Sequence, residues 1–374
     1  MSTFMSFLPL LITLIIGVSL AVLCSKVPES NVNFSEDQNT KRLSSEFRGS
    51  TGEYVATFFK VVVLNVITVG LYSPWGTVKL RKLLLNNTYI GNNSFDYHAT
   101  PISILKGRLI IAGVLITVSV LAAVNPIAYA VALLGLIVVA PILTYLGLKF
   151  KYRNHSFAGI RFEFNGNLGD AFKLTYGLIL GGITTLTLAV PIFSRFSNSY
   201  VLNNSRWGDR SLGIKTNLKD FYSAYGKSLL FFLVGVVLVI LLFLLLASLF
   251  DNESFSVWHW MVLAIYFLLP MTIALYQWFI FSILANSLCV DRTLNSECSL
   301  TFPRISKVVL GNFFGVIFTL GIYYPWAKIR AHRLMISSVT MRSTPSISEI
   351  RHRPEKDTSG ITDEIASTVY DVSL

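Results

Sequence analysis

Polar and apolar positions along this chain separate into long blocks. Three apolar runs stand alone, at roughly 55–72, 174–193 and 308–324. Two further sets are paired: 109–124 with 127–148, and 228–250 with 257–284. A helix rises ~1.5 Å per residue, so about 20 residues cover the hydrocarbon core of a bilayer. Each run is therefore near spanning length. The run 257–284 is longer than needed and contains Pro270, which predicts a kink, tilt or overhang. The polar stretches between runs are short. Phe95-Asp96-Tyr97 and Phe162-Glu163-Phe164 alternate aromatic and acidic side chains in the manner of strands. The pattern predicts an all-α multi-pass membrane protein. It is built of internal repeats, each one single apolar segment plus one helical hairpin, with short extended polar arms between them.

The repeats are visible in the letters. "GLYSPWGTVKLRKLLLNN" (Gly70–Asn87) is echoed by "GIYYPWAKIRAHRLMISS" (Gly321–Ser338). An offset of 117 carries Pro74 onto Pro191, Asn86-Asn87 onto Asn203-Asn204, and "FRGSTGE" (47–53) onto "FNGNLGD" (164–170). An offset of 251 carries Pro74 onto Pro325. The middle copy has Ile192 where the others have Trp75 and Trp326. These landmarks divide the chain into an apolar anchor or signal-like helix (1–24), a polar linker (25–46), repeat 1 (47–163), repeat 2 (164–301), a truncated repeat 3 (302–342) and a disordered polar tail (343–374).

Each Pro-Trp box joins an apolar run to a basic, amphipathic segment. Proline lacks the N–H that a helix interior needs and marks a bend. Trp75 and Trp326 suit the headgroup layer. Lys79, Arg81 and Lys82 follow the first box, and Lys328, Arg330 and Arg333 the other, interleaved with aliphatic residues. That order predicts a membrane-surface elbow, with a short helix along the interface. A second reading makes the same cations a site for an anionic headgroup or substrate.

The Phe-x-Gly-x-x-Gly-acid lead, the "GLYSPW" box, Asn-Asn-Thr and "FDYHATPISILKGRLI" together resemble the YjgN family of bacterial inner-membrane proteins, over about 47–341. The resemblance implies a bacterial, multi-pass inner-membrane protein. The family brings no known catalytic residues to carry over.

Composition agrees with a membrane setting: 53% of residues are hydrophobic and 14% charged, against about a quarter charged in soluble domains. The net charge of +11 lies beside the apolar runs, which points to lipid headgroups and away from nucleic acid. Cys24, Cys289 and Cys298 form no framework, and His98, His155, His259, His332 and His352 lack metal-ligand spacing. No catalytic motif stands out, and no cofactor is expected. Asn65, Gly181, Gly182 and Gly315 are small or polar positions at mid-run, marking either broken helices around a site or close helix packing.

Charge and length disagree on topology. The hairpin turns 125–126 and 251–256 contain no Lys or Arg, whereas every other connection does. The positive-inside rule would place all basic connections in the cytoplasm, which requires re-entrant single runs. Their length instead predicts crossing, with successive repeats inverted and seven core spans beside the N-terminal one. Two functions fit: a small-solute transporter or channel, and a non-transporting protein that binds anionic lipid or organises the envelope.

Overall fold

The computed structural model describes residues 18–19, 21–25, 32, 41–177, 185, 187–249, 257–291 and 294–343. Gly181, Gly182, most of segment 1–24, most of the polar linker and the tail after Ser343 lie outside the described residues. Among those described, one rhythm repeats five times: strand, two helices, strand. The first unit is β1 (Lys41–Phe47), α1 (Thr51–Ile67), α2 (Ser73–Asn86) and β2 (Thr88–Ile90). The second is β3 (Asn93–Tyr97), α3 (Pro101–Val124), α4 (Pro126–Arg153) and β4 (His155–Phe157). The third is β5 (Ile160–Phe164), α5 (Leu168–Tyr176), α6 (Val190–Asn203) and β6 (Ser205–Trp207). The fourth is β7 (Arg210–Ile214), α7 (Leu218–Leu249), α8 (Val257–Ser287) and β8 (Leu288–Val290). The fifth is β9 (Leu294–Cys298), α9 (Phe302–Phe318), α10 (Tyr324–Ser337) and β10 (Val339–Ser343).

The polar stretches between runs are extended strands that pair with one another. They are hairpins, and the hairpins close into one ten-stranded antiparallel barrel in the order β1-β10-β9-β8-β7-β6-β5-β4-β3-β2. This overturns the all-α expectation. Gly91 (φ +60°) and Gly208 (φ +59°) open turns of II′ character, while Ala158 and Gly159 are both left-handed, as a I′ turn requires. Closure comes from β1 pairing with β10, Leu43 opposite Met341, across nearly the whole chain.

Each helix pair leaves the barrel and returns to its starting point. Five backbone bonds fasten the two feet together: Arg48 N–H to Asn87 O (2.9 Å), His98 to Asn154 (2.9 Å), Asn165 to Asn204 (2.8 Å), Lys215 to Ser287 (3.4 Å) and Ser299 to Ser338 (2.8 Å). The acceptor residue also caps its own helix. Asn87, Asn154 and Asn204 donate through Nδ2 to Leu83, Phe150 and Tyr200 carbonyls at 2.7–2.9 Å. The Asn-rich triplets of the sequence are therefore helix ends. Both feet of each pair lie at the same end of the barrel. The run 55–72 goes out on α1 and its chain comes back on α2.

The turn between α1 and α2 recurs between α9 and α10. Val69 (φ +50°) and Gly70 (φ +86°) match Leu320 (φ +50°) and Gly321 (φ +91°). Thr68 Oγ1 donates to Leu64 O and accepts from Tyr72 N, as Thr319 does with Gly315 and Tyr323. Pro74 and Pro325 then sit in the first turn of the returning helix, where a missing N–H costs nothing. The "FRGSTGE" lead is a strand exit: a Cβ on Gly49 would fall 2.4 Å from the Phe47 ring, and Ser50 caps α1 by accepting from Glu53 N.

The barrel is filled. Ten strands enclose more space than the eight whose interior side chains just fill, and large residues occupy it: Phe157, Ile160, Trp207, Leu212, Val290 and Leu294. Trp207 is 1% exposed, lies 5.2 Å from the Phe157 ring and donates from Nε1 to Phe157 O at 3.1 Å. Trp207→Ala should remove that filling and destabilise the fold by about 3–5 kcal/mol, read as a large fall in melting temperature in detergent. A melting temperature equal to wild type would show that the barrel interior is not a packed core.

Candidate functional site

Cations from three helices converge where the helix feet meet the barrel. Arg81, on α2, donates from Nη1 to the Tyr97 hydroxyl at 3.0 Å and lies 5.6 Å from that ring. Tyr97 is fully buried, and its ring meets His155 edge-on at 5.1 Å. His155 Nδ1 lies 2.6 Å from Lys151 O at the end of α4, so Nδ1 carries the proton. On the other side, Thr88 Oγ1 donates its one proton to Leu84 O (2.7 Å), so His332 Nε2 must donate to Thr88 (2.9 Å). The His332 ring also meets Phe47 edge-on at 5.1 Å. One turn before His332 on α10 stands Lys328.

The electrostatics follow from enclosure. Burial pushes His155 down to about 4, and the charges of Lys151 and Arg81 act in the same direction against the bond to Lys151 O. Burial likewise pushes His332 down to about 4, with Lys328 adding to the effect. Lys328 is lowered by burial and then by Arg81. Its side chain is nonetheless exposed to solvent. Tyr97 is raised by burial despite Arg81 beside it. The junction is thus a cluster of fixed cations with two neutral imidazoles and one phenol whose proton is available to an acceptor.

The residues singled out by sequence divide between this junction and the surface. Arg81 is half-buried at the junction and Lys328 beside it is exposed, as are Lys79, Lys82, Arg330 and Arg333. Arg333 reaches back to Thr51 Oγ1 (3.2 Å), which ties α10 to α1. Trp75 and Trp326 are each 37% exposed and stack on Tyr72 and Tyr323 at 6.2 Å. Beside them the tips are bare and apolar, with Val69 at 91% and Leu320 at 93% exposure. Gly315 lies under Tyr323, whose ring is 2.6 Å from where a Cβ would be. Asn65 gives its carbonyl to Gly70 N, and its Oδ1 is buried without a partner among the described residues. Tyr97, His155 and His332 were not legible as a group. The one available signal was that His155 follows Asn154 as Thr88 follows Asn87.

Among the described residues four helices, α3, α4, α7 and α8, are long and apolar enough to cross a membrane. A second feature lies among α7, α8 and α9: a groove of 1230 Å³, walled by apolar side chains, with Asp220, Ser223, Lys227 and Ser282 towards its barrel end. No group of three or more His, Cys, Asp or Glu that could hold a metal occurs among the described residues.

Comparison with known proteins gives a family and relatives. The family described as "Bacterial protein of unknown function (DUF898)" matches residues 42–368. Inner membrane protein YjgN of Salmonella typhimurium is 27% identical over 171 residues, 44% of this chain and 42% of that protein. Its namesake in Escherichia coli O157:H7 is 28% identical over 136 residues, 35% of this chain and 33% of that protein. The chain thus aligns with well under two thirds of these relatives. No solved structure matches it.

If the imidazoles are held neutral, acid should destabilise the junction. An unfolded chain takes up protons near pH 6.5, the folded one only near 4, so stability is full above about 6.5 and falls as pH drops towards 4. The melting temperature in detergent should fall between pH 7.5 and 5. His155→Asn with His332→Gln, which keep the Nδ1 and Nε2 donors, should flatten that dependence. An unchanged pH slope in the double variant would contradict the assignment.

Proposed function

Since this chain belongs to the DUF898 family of bacterial proteins of unknown function, we propose that it is a multi-pass inner-membrane protein that binds anionic lipid. In this reading the pairs α3/α4 and α7/α8 cross the bilayer and return, and the barrel stands on the cytoplasmic side with the C-terminal tail. The placement follows the positive-inside rule: the basic connections all lie at helix feet or barrel hairpins, and the far turn at 125–126 carries no Lys or Arg. The pairs α1/α2 and α9/α10 are re-entrant. Their tips, Val66–Leu71 and Phe318–Ile322, enter the hydrocarbon obliquely, and Trp75 and Trp326 remain at its edge.

The observation that carries the lipid reading is the band of exposed cations on the two returning helices: Lys79 and Lys82 on α2, Arg330 and Arg333 on α10. Each lies one or two turns from a half-exposed tryptophan, ~6–10 Å along the helix. An amphipathic helix with this order suits the headgroup layer, where each cation near an anionic surface contributes about 1 kcal/mol. A solute path along the barrel axis gains no support, because Trp207 and its neighbours fill that axis.

The test compares thermal stability in nanodiscs with and without phosphatidylglycerol. Wild type should gain stability from the anionic lipid. A variant with Lys79, Lys82, Arg330 and Arg333 all changed to Gln should lose most of that gain, at about 1 kcal/mol per charge. Equal lipid dependence in the two proteins would leave the cations a purely structural role.

A further inference from the structure

The groove among α7, α8 and α9 has a polarity order that matches one kind of molecule. Its α7 wall runs from Asp220 to Val239, a length of ~28 Å along the helix. Only two lining residues are charged, Asp220 and Lys227, and the wall beyond Lys227 is entirely apolar: Leu230, Val234, Leu238, then Phe267 and Phe314 opposite. The apolar stretch, ~18 Å from Lys227 to Val239, is close to the ~15 Å depth of one leaflet's hydrocarbon. A drug-sized pocket holds about 300–1,000 Å³, so 1230 Å³ is generous for a small solute.

Acids early in a helix that leaves the barrel are not unusual here. Glu53 and Asp170 hold the same place in α1 and α5, where a carboxylate suits the helix dipole. What distinguishes Asp220 is its partner on the same face. Lys227 stands exposed on α7, seven residues deeper, with Nζ 5.9 Å from the Phe279 ring. Helix side chains lean towards the N-terminus, which in α7 is the barrel end, so the Lys227 stem reaches towards the groove mouth. No ion pair joins it to Asp220. The Ser223 and Ser282 hydroxyls flank the interval. From the deep end outward the order is apolar wall, cation, hydroxyls, anion.

We propose that the groove holds one membrane phospholipid with a zwitterionic, ammonium-bearing headgroup. Its acyl chain lies along the apolar wall, its phosphate meets Lys227 with Ser223 and Ser282, and its ammonium meets Asp220. A lipid headgroup has this sequence of charges, chain then phosphate then ammonium. A headgroup with no cation would leave the Asp220 carboxylate facing an anion. The occupant therefore differs from the anionic lipids assigned above to the Lys79 and Arg330 helices.

The experiment is native mass spectrometry of the full chain, purified from membranes in mild detergent and exchanged into equal phosphatidylethanolamine and phosphatidylglycerol. Wild type should retain about one phosphatidylethanolamine per chain in preference to phosphatidylglycerol. Asp220→Asn should reduce that preference several-fold, and Lys227→Gln should lower retention of both lipids. Val234→Trp should fill the groove and abolish retention without altering either charge; Leu238→Trp, one turn deeper, serves if the first variant does not fold. Retention unchanged in a folded groove-filling variant would overturn the proposal. So would the same lipid preference in wild type and Asp220→Asn. The quadruple Gln variant should keep its groove lipid, so failure of the surface reading and failure of this one are separable.

Discussion

A single backbone hydrogen bond, repeated at the foot of each helix pair, is the constraint on which the rest depends. In each unit the first N–H after a strand binds the last carbonyl before the next strand, from Arg48–Asn87 to Ser299–Ser338. The bond makes each pair start and finish at one place, whether its helices run 24–32 residues, as in α3, α4, α7 and α8, or 9–17, as in the others. Strands can then be as short as three residues, because register is set by the clamp and continued by only two or three ladder pairs. Isolated hairpins of this size are marginal in water. Closure into a barrel gives every strand two neighbours and leaves no edge to protect.

What was legible in the sequence follows from range. Apolar blocks and the Pro-Trp boxes announce themselves locally, and α3, α4, α7 and α8 fall where the paired runs lie. The offsets of 117 and 251 carry Phe47, the last residue of β1, onto Phe164 and Cys298, the last residues of β5 and β9. The barrel is not legible in the sequence because Thr88–Ile90 or Ser205–Trp207 is too short to show a period of two, and because Leu43 meets Met341 only in three dimensions. Topology depends on a different signal. A tip such as Val66–Leu71 has no charge to mark the turn, so hydropathy reads out-and-back as across. The proposed orientation rests on the lysine and arginine distribution.

The junction beneath the barrel was hidden by the same distance. Arg81 and Lys328 stand in corresponding sequence boxes, but Tyr97 and His155 come from hairpins on another unit, and His332 passed as one of five scattered histidines. Placing several cations side by side is costly, and both imidazoles among them are held neutral. The filled barrel above it makes a through-path along the axis poorly suited to solute passage. The groove lies instead among α7, α8 and α9, with its polar end towards the barrel.

The central claim is that every barrel hairpin lies on one face of the membrane and only the long helix turns reach the other. Single cysteines at Asn92, Asp209 and Asn125, in a background with the three native cysteines changed to Ser, test it by labelling with a membrane-impermeant maleimide. Spheroplasts, which expose the periplasmic face, should label Cys at 125 and spare 92 and 209. Inverted vesicles should give the opposite pattern. Labelling of positions 92 and 209 from opposite faces would contradict the account, because no set of helix pairs clamped at both feet can place two hairpins of one barrel on different sides.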